Sequence, residues 1–393
     1  MITDDEIKDL IDLQEAIMSV NESNIRETVQ YFLTCPFISD SIGYEKISRA
    51  FHLALTYHPL SIPSYIQLIK SFQQEKTLQT LKYSILHLLF HYLKNMSAFP
   101  SECGSLSFIY RSFLEDVYTE DDIFTEIQHF YETGVNFQLS LFWIFAYFTP
   151  IIEKKSQQLF ELIIGLYNKE KENKIYLSTI SLMLQNCFQS YFDQLPLFLS
   201  NDNQFEYHKG IVLQFGTMAD IIRRDSIDEL KQKASHPLFS IDQTISVSLF
   251  EPVWFLFDEP TLIQYSAFHH SLKCFNFCQM MDADLHLYDN KNKMLSQFAV
   301  AGGNVEIIRR VEQLGCSFND TLHVAICYFW FDIFVWLHET KDVPLSIDDP
   351  VYGTILSSAA ASGNIRGVQY CIEKGIDVSA MNSLEIFFKF FFK

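Results

Sequence analysis

Turn-forming residues are scarce in this 393-residue chain: 13 glycines and 11 prolines stand against 37 phenylalanines and 19 tyrosines. A sandwich or barrel needs frequent turn signals, so the scarcity disfavours a turn-rich β fold and favours helices. Paired cysteines are missing too. The eight cysteines (35, 103, 187, 274, 278, 316, 327 and 371) include no CxxC pair, which leaves a zinc ribbon or thioredoxin-type site without support. Cys274 and Cys278 share a helix face, but two thiols complete no metal site. The set reads as small buried hydrophobes in a reducing compartment. No long basic run offsets a net charge of −19. Residues 1–215 carry 26 acidic against 15 basic side chains, and residues 216–393 carry 22 against 14. Acid on both halves repels phosphate backbones and anionic bilayers, so neither nucleic acid nor a membrane surface is an expected partner.

Long apolar runs are absent as well. The richest stretch, 139–152, is interrupted by Ser140, Thr149 and Pro150. It is too short to cross a membrane and reads as a core helix that ends at the proline. The opening residues 1–6 show neither the basic nor the apolar region of a signal peptide, so a cytoplasmic location is expected. The GxxxxGK[ST], GxGxxG and GxSxG motifs do not occur. His87 and His91 lie four apart, but Leu88 stands where a zincin carries glutamate. The acidic cluster Glu115, Asp116, Glu120, Asp121, Asp122 and Glu126 lacks the alternating spacing of a calcium loop. The chain therefore reads as non-enzymatic, with no catalytic, cofactor-binding or metal residue.

What is present is a large apolar fraction, 48%, with only 20% charged residues. That composition builds a buried core, and the length exceeds what one core usually fills. Two regions are expected, 1–215 and 216–393. In the first, amphipathic helices are predicted over 23–34, 41–57, 63–74, 77–95, 105–117, 121–132, 139–149, 155–168 and 174–192, separated by prolines, glycines and short polar joints. Residues 196–212 read as a connector. A helix pair begins near Thr217, its second helix opened by a Ser226–Glu229 capping box. Alternation at 241–250 suggests a strand or an extended insertion.

From about residue 260 a helix-pair signature recurs. Ser271, Asn304, Trp330 and Asn364 each open a second helix, at spacings of 33, 26 and 34. Ala299, Ala325, Ala359 and Ala360 are small where the first helices must approach closely. Gly303 and Gly363 end first helices through positive φ, and Asn304 and Asn364 cap the second ones. Thr354, Leu356, Ala359, Ala360, Gly363 and Asn364 resemble the Thr-x-Leu-x-x-Ala-Ala-x-x-Gly pattern of the ankyrin repeat, and Leu322, His323 and Ala325 echo its LeuHis-x-Ala. Ser296 departs from the expected leucine, and Phe329-Trp330 replace the Gly-Asn turn.

The chain is similar to a large family of protist proteins that join a helical N-terminal region to C-terminal ankyrin repeats. That resemblance implies an all-α fold: an α-solenoid with a degenerate first unit and an incomplete last one. It implies a protein–protein interaction scaffold with protein partners and no cofactor. His323 falls on the motif's own histidine, whose implied task is to hydrogen-bond the turn. Contacts are expected at the finger tips: Asp284, His286, Phe318, Asn319, Asp377 and Ser379. A substrate-recruiting adaptor of a ubiquitin-ligase-type assembly, or an enzyme in the N-terminal half, is the alternative. Phe387, Phe388, Phe390, Phe391 and Phe392 crowd the end of the chain, read as a truncated unit or an adhesive interface.

Overall fold

The structure, a computed structural model, describes residues 3–94, 102–133, 138–173, 177–346, 348–349 and 353–376. Over these residues the chain is mainly helical, with a short antiparallel ladder pairing Asp348–Asp349 with Gly353–Thr354. No helix among them is long and apolar enough to cross a membrane. Asp377, Ser379 and the phenylalanine-rich end lie outside the described residues. The chain divides into two compact units. One comprises Leu13–Phe215 with Val247–Phe257; the other comprises Met1–Asp12, Gly216–Ser246 and Asp258–Lys393.

The first unit is organised around helix Gln138–Lys155, whose residues 139–149, 151 and 152 are all buried. It packs against helices Cys103–Leu114, Glu120–Thr133, Gln157–Asn173 and Gln204–Val212. Aromatic rings fill the contacts: Tyr167 stacks on Phe192 at 3.7 Å, and Phe192 stacks on Phe145 at 5.4 Å. Such pairs add specific geometry to plain burial. Tight crossing needs a glycine elsewhere. A Cβ on Gly104 would stand 2.0 Å from the Leu55 carbonyl oxygen, where helix Cys103–Leu114 meets helix Ser41–Tyr57.

Three expectations for this unit are corrected. Helix Gln138–Lys155 does not stop at Pro150; it bends at Phe148 (φ −122°, ψ 22°) and continues. Proline removes the N–H that would bond the Ala146 carbonyl. That carbonyl accepts instead from His208 Nε2 at 2.9 Å. The 196–212 stretch is not a connector: helix Leu182–Leu199 runs through Pro196, and helix Gln204–Val212 follows. Segment Val247–Phe257, expected with the C-terminal region, belongs here. Trp143 Nε1 donates to the Leu249 carbonyl at 3.0 Å, and the Phe250 ring meets Tyr147 and Tyr191 edge-on at 5.2 and 5.9 Å.

The second unit holds five helix pairs among its described residues. They are Met218–Arg223 with Ile227–Ala234, Leu262–Phe268 with Leu272–Met280, Leu295–Gly302 with Val305–Gln313, Leu322–Cys327 with Phe331–Glu339, and Ile355–Ala361 with Ile365–Glu373. Each first helix packs against the first helix of the next pair. The middle three first helices are buried on every face, and Ala299, Ala325 and Ala359 are wholly inaccessible. The second helices are amphipathic; Val305–Gln313 buries only Ile307, Ile308 and Val311. The alternation at 241–250 yields no strand, only an isolated bridge from Thr244 to Thr261.

One backbone device recurs in every pair. The turn between its helices passes through positive φ at Asp225 (48°), His270 (59°), Gly303 (80°), Phe329 (58°) and Gly363 (73°). In four pairs the next residue's N–H bonds five residues back: Ser226 to Ile221, Ser271 to Ser266, Trp330 to Ala325 and Asn364 to Ala359. These close the first helix's free carbonyls, and a side chain there costs about 1–2 kcal/mol against glycine. Asn304 and Asn364 cap the second helices as the residues suggested. The Ser226–Glu229 box does not form. Ser226 Oγ donates to the Glu229 carboxylate at 2.9 Å, and the Arg224 guanidinium forks onto that same carboxylate at 2.7 and 2.9 Å.

Gly303 combines two demands. Its φ is left-handed, and a Cβ there would stand 2.2 Å from the Trp330 ring. We predict that Gly303→Ala destabilises the chain by roughly 2–4 kcal/mol, adding left-handed strain to a displaced indole. Urea denaturation with matched m-values tests it; a change under about 1 kcal/mol would show that the ring moves away freely.

Candidate interaction surface

Neighbouring pairs are stitched at their helix–helix turns. Ser271 Oγ donates to the Ile222 carbonyl, and Asp225 accepts the backbone N–H groups of Lys273 and Cys274 at 3.1 and 2.9 Å. His270 Nε2 meets the Gly302 carbonyl, and Trp330 Nε1 donates to Ala301 at 2.9 Å. Asn364 Nδ2 donates to Ile326 at 2.8 Å, while His323 Nδ1 meets Ser358 Oγ at 2.9 Å. His323 therefore spends its polar edge on the following pair.

The segments leaving the second helices are held at their bases. Gln264 and Gln297, 33 residues apart, play the same part. Each accepts the N–H of the residue that opens its helix, Thr261 or Met294, at 2.8 Å. Each then donates 23 residues ahead, Gln264 to the Leu287 carbonyl at 2.8 Å and Gln297 to Asp320 at 3.0 Å. Sequence reasoning missed this pair, although the shared spacing and helix position were there to find. The return limb 289–293 closes on a buried ion cluster. Lys293 Nζ lies 2.8 Å from Asp289 and 2.6 Å from Asp258, and Asp289 Oδ1 accepts the Lys291 and Lys293 N–H groups at 2.9 and 2.8 Å.

Of the residues expected to make contacts, Asp284, His286 and Asn319 are exposed. Asp284 also shapes its own turn: its N–H donates to Asp242 Oδ1, and its Oδ1 accepts the His286 N–H, each at 2.9 Å. Phe318 is a correction. It is 6% exposed and packs edge-on against Trp336, so its ring anchors the segment rather than offering a contact. Apolar exposure in this unit lies at Leu238, Val305 and Ile372 singly, and at Met280 (80%), Met281 (48%) and Tyr288 (56%) together along one segment.

Groups with potential chemistry sit in settings that explain them otherwise. In the first unit His52 Nδ1 lies 3.2 Å from Glu102 Oε2 and 3.5 Å from Ser105 Oγ. A Ser–His–carboxylate relay needs the two partners on opposite ring nitrogens, and here both meet Nδ1. His87 pairs with Glu126 at 3.0 Å, with the His129 ring 5.5 Å from the His87 ring. Among the described residues no three such side chains are placed to hold a metal. The acidic cluster is an ion-paired surface: Glu120 meets Lys154 at 2.7 Å and Asp121 meets Lys155 at 2.6 Å. Burial pushes the Cys103 and Cys274 thiols up and Cys278 to about 12, so they stay protonated and unreactive.

An open groove of about 310 Å³ in the first unit is lined by Asn186, Ser190, Tyr191, Gln194 and the 247–250 segment. Several of its polar groups are engaged with one another or with the fold. Gln194 donates to Ser190 at 3.1 Å, and Tyr191 shares a 2.7 Å hydrogen bond with Thr149. No carboxylate or imidazole lines it. The chain matches no family model and no curated protein.

Proposed function

We propose that the chain is a non-enzymatic scaffold that holds other proteins through a stacked, ankyrin-like array of helix pairs in residues 216–393. The repeated turn carries the reading. Five pairs place a left-handed residue at the same point, and each is bonded to its neighbour through that point. Stacked units of this kind bury one face of every pair and leave the outer face free to vary. Those outer faces are polar and solvated at Glu306, Gln313, Asp332, Glu339, Gln369 and Glu373. The acidic surface favours protein partners over nucleic acid.

Affinity capture with the full chain from its native cells tests the proposal. A reproducible partner should be lost when Glu306, Asp332, Glu339 and Glu373 are changed to lysine, and kept when exposed acidic positions in 1–215 are changed likewise. Loss confined to changes in 1–215 would move the binding function to the N-terminal helices and sink this reading.

A further inference from the structure

The five pairs serve as internal controls for one another. Nine residues after each second-helix opener stand Ser235, Met280, Gln313, Glu339 and Glu373, all exposed. Four are polar, as a solvated position should be. The second pair alone carries a large apolar side chain there, and Met280 is 80% exposed. Its helix already buries Cys274, Phe275 and Cys278, so Met280 lies off the stripe that faces the unit. The chain beyond it continues the exposure through Met281 and Tyr288, with Asp282, Asp284 and His286 exposed between them. Isolated apolar residues on a surface need no account, but a cluster placed where sister units are polar does.

This strip is also held firmly. Asp284 is tied to Asp242, Leu287 to Gln264, and the return limb to the Lys293 cluster, so binding here would cost little ordering. Its charge selects the occupant. Asp282 and Asp284 follow the methionines along the exposed strip, Lys291 lies beyond on the return limb, and the whole chain carries −19. Two whole chains, each at −19, repel one another at long range, whereas a short basic segment of another protein is drawn in.

We propose that the 280–288 strip is a docking surface for a segment of another protein that sets lysine or arginine beside large apolar side chains. The proposal rests on the scaffold reading and adds to it the site and the partner's chemistry. Methionine's unbranched, polarisable side chain adapts to varied apolar groups, while the two aspartates fix the cations next to them.

Fluorescence anisotropy on the full chain tests it with three labelled amphipathic peptides: leucine–lysine, serine–lysine and leucine–glutamate. Leucine–lysine should bind most tightly and leucine–glutamate not at all. The triple variant Met280→Ser, Met281→Ser and Tyr288→Ser should weaken leucine–lysine binding on the order of tenfold, down to the serine–lysine level. Asp282→Asn with Asp284→Asn should weaken both lysine peptides severalfold and flatten their salt dependence. An unchanged unfolding midpoint in the variants certifies the fold, since the altered side chains are exposed.

Equal leucine–lysine binding by the triple variant would overturn the proposal, as would failure of wild type to bind that peptide. A concentration-dependent dimer abolished by the triple variant would assign the strip to a second copy instead. None of these results would touch the scaffold reading if captured partners still depend on the outer helix faces.

Discussion

Lys293→Met should cost about 3–5 kcal/mol of stability, one of the two largest effects expected in this chain. Lys293 is 8% exposed, and its ammonium is shared between Asp289, whose side chain is wholly buried, and Asp258. Methionine matches the lysine stem and fills its volume, so the loss measures the charge and not a cavity. What remains is a buried carboxylate with its counter-charge gone, the costly half of any internal ion pair. Adding Asp289→Asn should recover a large part. The amide oxygen can still accept the Lys291 and Lys293 N–H groups while carrying no charge to desolvate. Urea denaturation of the two single variants and the double variant gives the coupling directly. Additive losses would show that the cluster is already hydrated. Because the limb it closes forms the base of the 280–288 strip, Lys293→Met should also weaken leucine–lysine peptide binding at a temperature where the chain remains folded.

Helix and pair were legible in the sequence wherever a residue type carries one meaning. Gly303-Asn304 and Gly363-Asn364 announce a left-handed turn followed by a cap, because glycine and asparagine are the residues for which those conformations are cheap. Asp225, His270 and Phe329 adopt the same turn without announcing it. Their positive φ is enforced by the bonds on either side: Asp225 is held by two N–H groups of the next pair, and Phe329 precedes the Trp330 indole anchored on Ala301. Phe318 was misread for a related reason. A finger tip suggests exposure, but Trp336 lies close enough in space to bury the ring. Local patterns report the chain's own preferences; these cases turn on partners supplied from a distance. The 280–288 strip was half visible. Asp284 and His286 stood out as turn residues, whereas Met280 gains meaning only when solvent exposure is compared across the equivalent positions.

Pro150 is the sharpest case of a distant partner, and it sets the second large effect. Proline read as a helix end because it strands the carbonyl four residues back. His208, 62 residues later, supplies the missing donor from a position 1% exposed. To donate through Nε2 while buried, the ring is best neutral, and burial lowers its pKa to about 4, partly opposed by the Ala146 contact. Unfolded, the same imidazole takes up a proton below about pH 6.5. The unfolded state therefore binds more protons between pH 6.5 and 4. His208 stabilises the fold fully above pH 6.5, progressively less as pH falls through that window, and changes nothing further below 4. Over the whole window its contribution amounts to roughly 3 kcal/mol. His52, also lowered to about 4 by burial, adds a slope of the same sign. His208→Gln should keep a donor for Ala146 but lose the titration. Urea unfolding from pH 7.5 to 4.5 should thus show a shallower decline in the variant than in wild type, with the difference growing below pH 6.5. Parallel curves would mean that His208 takes up its proton at the same pH folded and unfolded, so that at acid pH the carbonyl stranded by Pro150 is met by an imidazolium.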